Sequence, residues 1–125
     1  MAPDELVVAI HVPRPGHEAR SAFLKLGTRR YLVISIAMAA ATLEIADGRV
    51  ASARIAVGAC SPVAERLPGL EAALAGAPLD ARLADRVEVA HLAPLSPIDD
   101  VRGSAAYRSD AVVTVLRRLL WGFAS

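Results

Sequence analysis

The sequence has few aromatic residues, a single cysteine and almost no net charge, and each shortage argues against a class of protein. Aromatic side chains make up 4% of the 125 residues and hydrophobic ones 54%, so a core has to be built from small and branched aliphatic groups. Cys60 has no partner for an intrachain disulfide, which argues against a secreted, disulfide-held domain. A formal charge of +1 lacks the basic excess typical of proteins that bind nucleic acid.

Membrane and targeting segments are also missing from the sequence. The longest apolar run, residues 32–43, is interrupted by Ser35 and Thr42 and falls short of the roughly 20 residues needed to cross a bilayer. The N-terminus has neither the basic start nor the apolar stretch of a signal peptide. These features predict a soluble, cytoplasmic protein without a membrane span. The length predicts one domain over residues 1–125.

The common motifs of enzyme active sites do not occur. The sequence has no GxGxxG segment, no Walker loop and no GxSxG elbow. His11, His17 and His91 share no metal-ligand spacing with Cys60, which we interpret as an inert buried thiol. We therefore predict neither a catalytic residue nor a metal site.

Strand patterns dominate the first half of the chain. Residues 5–12 alternate between apolar and other side chains, which predicts a strand, and residues 21–26 form a second extended segment that can pair with it as a hairpin. Asp47-Gly48 predicts a type I′ turn between the apolar runs 34–46 and 49–60, because both central residues of that turn need positive φ.

Regular pairing across this turn assigns each side chain to one face of the sheet. The core face is predicted to carry Ile36, Met38, Ile55 and Val57. Small residues are predicted to lie on the other face: Ser35, Ala37, Ala39, Ala41, Ala56, Gly58 and Cys60. Two interpretations of that face stay open, a thinly packed surface or one that a second layer or a ligand approaches closely.

Helical patterns follow in the second half. Pro68 suits the start of a helix that ends near Gly76, and Asp80 is a plausible N-cap for a second helix. Ser104 is the predicted N-cap of the last helix, whose apolar stripe runs from residue 112 to residue 123 and whose polar remainder includes Arg108. The order predicts an α+β fold, an antiparallel sheet of three to four strands packed on one face by three helices.

Asp99 and Asp100 are adjacent carboxylates, but neighbours in an extended segment point in opposite directions and are poorly placed to share a proton. A role at the entry of the last helix is favoured, because carboxylates accept its first N–H groups.

Three segments carry a resemblance to a known family. They are Phe-Leu-Lys-Leu-Gly-Thr-Arg-Arg at residues 23–30, Ile-Ala-Val-Gly-Ala-Cys-Ser-Pro-Val at 55–63, and the stretch 96–108, which contains Asp-Val-Arg-Gly-Ser-Ala-Ala-Tyr-Arg. Together they resemble the C-terminal domain of the FAD-binding medium subunit of the xanthine dehydrogenase and carbon monoxide dehydrogenase family of molybdenum hydroxylases.

The resemblance implies an accessory domain of an FAD-containing electron-transfer subunit, which packs beside the flavin and is not catalytic alone. Lys25 matches the lysine of the family's Lys-x-x-x-Arg-Arg segment, so it is the candidate cofactor-binding residue; the alternative is a solvated lysine at a strand edge. The glycine-rich region that holds most of the FAD is missing from these residues. We therefore expect FAD only in the assembled subunit, with residues 1–15 forming the junction to that region.

The implied partners are an FAD-binding N-terminal region or subunit and the molybdenum and iron–sulfur subunits. An alternative hypothesis is a free-standing interaction or dimerisation module without redox activity. A strand edge open to pairing suits both hypotheses and also allows a homodimer.

Overall fold

The computed structural model describes residues 2–16 and 18–124. Within these residues the chain forms four strands, two α-helices and two 3₁₀ helices. The strands are β1 (Ala19–Leu26), β2 (Ala37–Ala46), β3 (Arg49–Gly58) and β4 (Glu65–Arg66); the α-helices are α1 (Pro68–Leu74) and α2 (Ala105–Ala124); the 3₁₀ helices are Ala81–Arg86 and Val89–Leu92.

The strands form one antiparallel sheet in the order β1-β2-β3-β4. Helix α2 packs on β1 and β2, α1 packs on β3, and the first 3₁₀ helix packs between the two α-helices. This confirms the predicted α+β fold with helices on one face of an antiparallel sheet. The predicted second helix is present in 3₁₀ form, and Asp80 caps it by accepting a hydrogen bond of 2.9 Å from the backbone N–H of Arg82.

The turn between β2 and β3 has the predicted conformation, with φ of 51° at Asp47 and 69° at Gly48. Pairing is regular next to the turn, where Ile45 lies opposite Val50. It then shifts by one residue, so that Glu44 lies opposite Ser52 and not opposite Ala51. This β-bulge places one extra residue in β3. Beyond the bulge, it therefore changes which residues of β2 and β3 lie on the same face of the sheet.

The bulge makes part of the predicted face assignment wrong. Ile55 and Val57 lie in the core as predicted, and Ile36, just before β2, is also buried. Met38 does not belong to the core face, because it lies opposite Gly58 on the side of the sheet that no described helix covers, which we call the open face. Three alanines predicted for the other face, Ala37, Ala39 and Ala41, are instead buried beneath α2. Their small side chains let the helical layer approach the sheet closely.

The predicted strand over residues 5–12 is wrong. These residues adopt no regular structure, and their large aliphatic side chains are exposed. The predicted hairpin with residues 21–26 is wrong as well, because β1 pairs with β2. Alternation shows that a segment has a face to bury, but a strand also needs a partner for its backbone N–H and C=O groups.

The helix signals at residues 68 and 104 are confirmed. Pro68 lies in the first turn of α1, and the Ser104 hydroxyl accepts a hydrogen bond of 3.1 Å from the N–H of Tyr107 in the first turn of α2. The stripe of α2 supplies Val112, Leu116 and Leu120 to the core, where they are almost fully buried. Arg108 was expected on the polar side of this helix, but it is buried with only 3% of its surface exposed. Among residues 2–16 and 18–124, no helix is long and apolar enough to cross a membrane.

Candidate functional site

Lys25 lies near the end of β1 and is half-buried. Its Nζ donates a hydrogen bond of 2.6 Å to the backbone oxygen of Val33, in the loop 27–36 that leads to β2. Gly27 allows the loop to fold back, since a Cβ there would lie 2.7 Å from Cγ1 of Val33. An ammonium group has three N–H donors, and the bond to Val33 uses one of them. The loop therefore fixes this cation at one end of the sheet.

The rest of the Lys-x-x-x-Arg-Arg segment stabilises the same loop. Arg29 Nη2 donates a hydrogen bond of 2.7 Å to the oxygen of Leu32, whose φ of 50° marks a sharp change of direction. The guanidinium of Arg30 lies over the ring of Tyr31, 5.3 Å from its centroid. Leu32 and Ile34 expose their side chains, so the outer surface of the loop combines positive charge with apolar groups.

Arg108 connects α2 to the sheet. Its Nη1 donates hydrogen bonds of 2.6 Å to the oxygen of Ile36 and 2.9 Å to the oxygen of Ala59, while Nη2 donates a bond of 2.7 Å to Oδ1 of Asp100. These three acceptors precede β2, follow β3 and precede α2, respectively. One buried guanidinium therefore holds three chain segments together at one end of the domain.

Asp100 is the anionic centre of this cluster. Its carboxylate accepts hydrogen bonds from the backbone N–H of Arg102 at 2.7 Å and from the guanidinium of Arg102 at 2.8 Å, in addition to the bond from Arg108. The Arg102 N–H, and then the neighbouring guanidinium groups, lower the pKa of Asp100 to about 2. Asp100 is therefore ionised at neutral pH and is poorly suited to act as a general acid or base.

Asp99 has the predicted role at the helix entry. Its Oδ1 accepts a hydrogen bond of 2.6 Å from the N–H of Ala105, and Ser104 accepts one from Tyr107. Two N–H groups in the first turn of α2 are therefore already bonded to side chains of this chain. Residues 99–104 therefore build a helix entry, and these two N–H groups are not available to a phosphate.

A cleft with a volume of about 380 Å³ lies beside this cluster. Arg102 and Arg108 contribute to its wall together with Ile34 and Ile98, which are exposed. Ala59, Ser61 and Pro62 also line the cleft, so the second and third family-like segments meet there, next to the loop that Lys25 holds.

The remaining candidate residues that the structure describes are not arranged for metal binding or nucleophilic catalysis. Cys60 is buried and its Sγ contacts the oxygen of Ile36 at 3.8 Å; burial raises the pKa of its thiol, so a reactive thiolate is disfavoured. His11 is exposed, and Nδ1 of His91 accepts a bond from the N–H of Glu88. His17 lies outside the described residues. In the described part of the chain, no three His, Cys, Asp or Glu side chains are grouped to hold a metal ion.

Comparison with known proteins gives a consistent result. Residues 22–121 match the model of the CO dehydrogenase flavoprotein C-terminal domain, so the chain belongs to that family. It is 33% identical over 121 residues to the nicotine 6-hydroxylase medium subunit of Paenarthrobacter nicotinovorans, a match that covers 96% of this chain and 41% of that protein.

Solved structures agree with the family assignment. The fold matches a chain of the reconstituted CO dehydrogenase from Oligotropha carboxidovorans with a TM-score of 0.77 and 28% identity, over 90% of this chain and 40% of that one. It also matches quinoline 2-oxidoreductase from Pseudomonas putida 86 with a TM-score of 0.76 and 26% identity, over 84% of this chain and 36% of that one. The chain spans about two-fifths of the length of these relatives.

The family implies FAD, and the residues present fit one part of that molecule only. Lys25 offers a fixed cation to a phosphate or to a flavin ring. The first turn of α2 is occupied by Asp99 and Ser104, and the sequence has no glycine-rich loop to enclose the pyrophosphate. Among the described residues, Lys25 is therefore the candidate for a contact with FAD, and no group is placed to enclose a pyrophosphate.

Sequence reasoning missed the burial of Arg108, although a signal for it was present. Arg108 precedes Val112 by four residues, and Val112 precedes Leu116 by four, so all three lie on one side of α2. An arginine in line with the apolar stripe indicates a buried guanidinium with acceptors at the helix entry.

Proposed function

We propose that this chain is the accessory C-terminal domain of an FAD-containing electron-transfer subunit in a molybdenum hydroxylase-type oxidoreductase. It packs beside the flavin and against the partner subunits, while a separate region or subunit binds most of the FAD. The observation that carries this proposal is the match of residues 22–121 to the flavoprotein C-terminal domain. The relatives named above do not favour a module without redox activity.

We further propose that Lys25 contacts the FAD in the assembled subunit. Its Nζ is held at the end of β1 by Val33, and a cation so fixed stabilises an anionic reduced flavin or an FAD phosphate without being reorganised first. When bound, FAD would supply electron transfer between the iron–sulfur subunit and an external acceptor, and Lys25 would contribute a positive charge beside it. Lys25 takes no part in bond making and acts through its charge.

Co-purification tests the accessory role. The chain is expressed alone and together with a flavoprotein fragment that carries the missing FAD-binding region, and flavin is quantified in each preparation. We expect a colourless protein when the chain is alone and a yellow complex when both are present. Stoichiometric FAD on the chain alone, or failure of the two parts to associate, would contradict the proposal.

Lys25 is the only lysine of the chain, which permits a direct test of its contact. Reductive methylation with ¹³C-formaldehyde labels Lys25 and the N-terminal amine and keeps both charges. In the complex, we expect the Lys25 signal to shift when FAD is added to the FAD-free partner, while the N-terminal signal stays in place. An unchanged Lys25 signal in a complex that has taken up FAD would exclude this contact and leave the accessory role intact.

A further inference from the structure

The open face of the sheet has an apolar centre. Residues that lie directly opposite each other in an antiparallel sheet point to the same side. Phe23, Ala40 and Ala56 form one such row across β1, β2 and β3. Phe23 is 61% exposed, and Ala40 is exposed as well. Because the uncovered face of an antiparallel sheet is normally polar, an apolar row on it indicates a surface that another protein region covers.

The next row joins this centre to the candidate FAD contact. Lys25 lies opposite Met38, and Met38 lies opposite Gly58. The Met38 side chain extends over Gly58, because a Cβ built on this glycine would lie 2.5 Å from Cε of Met38. The backbone register thus places Lys25 and Met38 on the same face as Phe23, one row further along the strands. A region that covers the apolar centre would therefore also reach Lys25.

A hollow of about 190 Å³ lies on the open face. Its lining combines the short side chains of Ala40 and Ala56 with the guanidinium-bearing side chains of Arg54 and Arg66. An apolar centre bordered by polar groups, with arginine among them, is typical of protein–protein interfaces. Because alanine side chains are short, the hollow can take a large apolar side chain that protrudes from a partner.

The path of the chain before β1 points to the identity of the partner. The backbone of Gly16 lies beside the carboxylate of Glu44, since a Cβ on Gly16 would be 3.9 Å from Cδ of Glu44. Glu44 belongs to the open face, in the row that also contains Ala19 and Ser52. The matched family domain is the C-terminal part of a flavoprotein, and the chain spans about two-fifths of its relatives. A region that precedes this domain is therefore joined to it on the open-face side.

We propose that the open face of the sheet is the docking surface for the FAD-binding region, which inserts a protruding apolar side chain into the hollow lined by Ala40 and Ala56. This inference rests on the proposed function and adds to it the surface that the partner covers. Docking on this face removes Phe23 and Met38 from water, which favours association, and brings the partner next to Lys25. It uses no residue of the helical layer, which lies on the opposite side of the sheet.

Binding of matched variants tests the choice of face. Ala40 lies on the open face and Ala72 lies on α1 in the helical layer, and both are exposed. The Kd for the FAD-binding fragment of the co-purification test is measured by isothermal titration calorimetry. Ala40→Arg fills the hollow and should weaken binding about tenfold or more, whereas Ala72→Arg should change the Kd by less than about twofold. Urea midpoints close to that of the original chain show that both variants are folded.

Thiol labelling with a maleimide gives a second measurement that does not rely on weakened binding. Ala40→Cys and Ala72→Cys each introduce an exposed thiol, while Cys60 should react little because it is only 1% exposed. The fragment, present at more than about ten times its Kd, should slow labelling of Ala40→Cys about tenfold and leave Ala72→Cys unchanged. Labelling of Ala40→Cys in the chain alone, at low and high concentration, shows whether a second copy covers the face.

The outcomes separate this inference from the proposed function. Weaker binding by Ala40→Arg alone, together with protection of the Ala40→Cys thiol alone, supports docking on the open face. A complex that binds both arginine variants equally, or that leaves the Ala40→Cys thiol reactive, would overturn the inference and leave the accessory role intact. Protection that appears in the chain alone as its concentration rises would assign the face to a second copy and overturn it as well. If the original chain does not bind the fragment, the proposed function fails and the inference fails with it.

Discussion

The guanidinium of Arg108 donates a hydrogen bond of 2.6 Å to the backbone oxygen of Ile36, 72 residues earlier in the chain. Ile36 ends the loop that Lys25 holds through Val33, and Arg108 ends the Asp-Val-Arg-Gly-Ser-Ala-Ala-Tyr-Arg segment. One buried side chain therefore couples the position of the candidate FAD-contacting loop to the helical layer.

Replacing Arg108 by Met should destabilise the domain strongly. The change leaves the oxygens of Ile36 and Ala59 without their donor and removes a buried partner of Asp100. We expect a loss of about 3 kcal/mol in the free energy of unfolding, measured by urea denaturation. Arg118→Met, on the exposed side of the same helix, is the control and should change it by less than about 0.5 kcal/mol. Similar losses in both variants would contradict the bonding described for Arg108.

Because Asp100 is ionised in the folded protein, the free energy of unfolding should depend on pH in the acidic range. Its pKa is lowered from 3.8 to about 2 in the folded state, first by the N–H of Arg102 and then by the guanidinium groups of Arg108 and Arg102. A lowered folded pKa contributes stability above the unfolded value and loses it as the pH falls through the folded value. The contribution of Asp100 is therefore complete above about pH 4 and lost near pH 2.

The comparison with Asp100→Asn isolates this contribution. Urea midpoints of both proteins are measured between pH 2 and pH 6. We expect the original protein to be the more stable one at pH 6 and the difference to shrink steadily below pH 4. A difference that stays constant down to pH 2 would show that the charge of Asp100 contributes nothing to folding.

The β-bulge predicts opposite responses at two neighbouring alanines. Ala39 is buried beneath α2, whereas Ala40 lies on the open face and is exposed. Ala39→Leu should overpack the interface between sheet and helix and cost about 2–3 kcal/mol in the free energy of unfolding. Ala40→Leu should change it little. Regular pairing without the bulge would give the reverse order, so chemical denaturation of the two variants distinguishes the registers.

Local signals in the sequence were sufficient for much of the fold. Asp47-Gly48, Pro68 and Ser104 each favour one backbone conformation through their own chemistry, and the structure has a turn or a helix start at each. These effects need no knowledge of distant residues. The same holds for the layer order, because strand periodicity precedes helical periodicity along the chain.

The predictions from sequence were wrong where contacts between distant residues determine the structure. The bulge is accompanied by a hydrogen bond of 2.9 Å from Ser52 to Oε2 of Glu44 and by the close packing of α2 on Ala37 and Ala39. The local sequence pattern of β2 and β3 does not reveal either interaction. Residues 5–12 show correct alternation but have no partner strand in the described chain. At the site, the sequence predicted that Lys25 lies in an extended segment, and it does lie in β1. Its bond to Val33 could not be predicted, because it depends on how the loop folds back.

Glu71 provides a last test, of how α1 is attached to the sheet. Its Oε1 accepts a hydrogen bond of 2.8 Å from the N–H of Ile55, a fully buried residue of β3, and its carboxylate also pairs with the exposed Arg66. Glu71→Ala leaves a buried N–H without an acceptor, which should cost about 1–3 kcal/mol. Glu71→Gln keeps an acceptor for Ile55 and loses mainly the surface ion pair, so it should cost less than about 1 kcal/mol. The unfolding free energies are measured together with hydrogen exchange at the Ile55 amide, which should be accelerated in the alanine variant alone. Equal losses of unfolding free energy in both variants would mean that the pair with Arg66, and not the bond to Ile55, holds α1 in place.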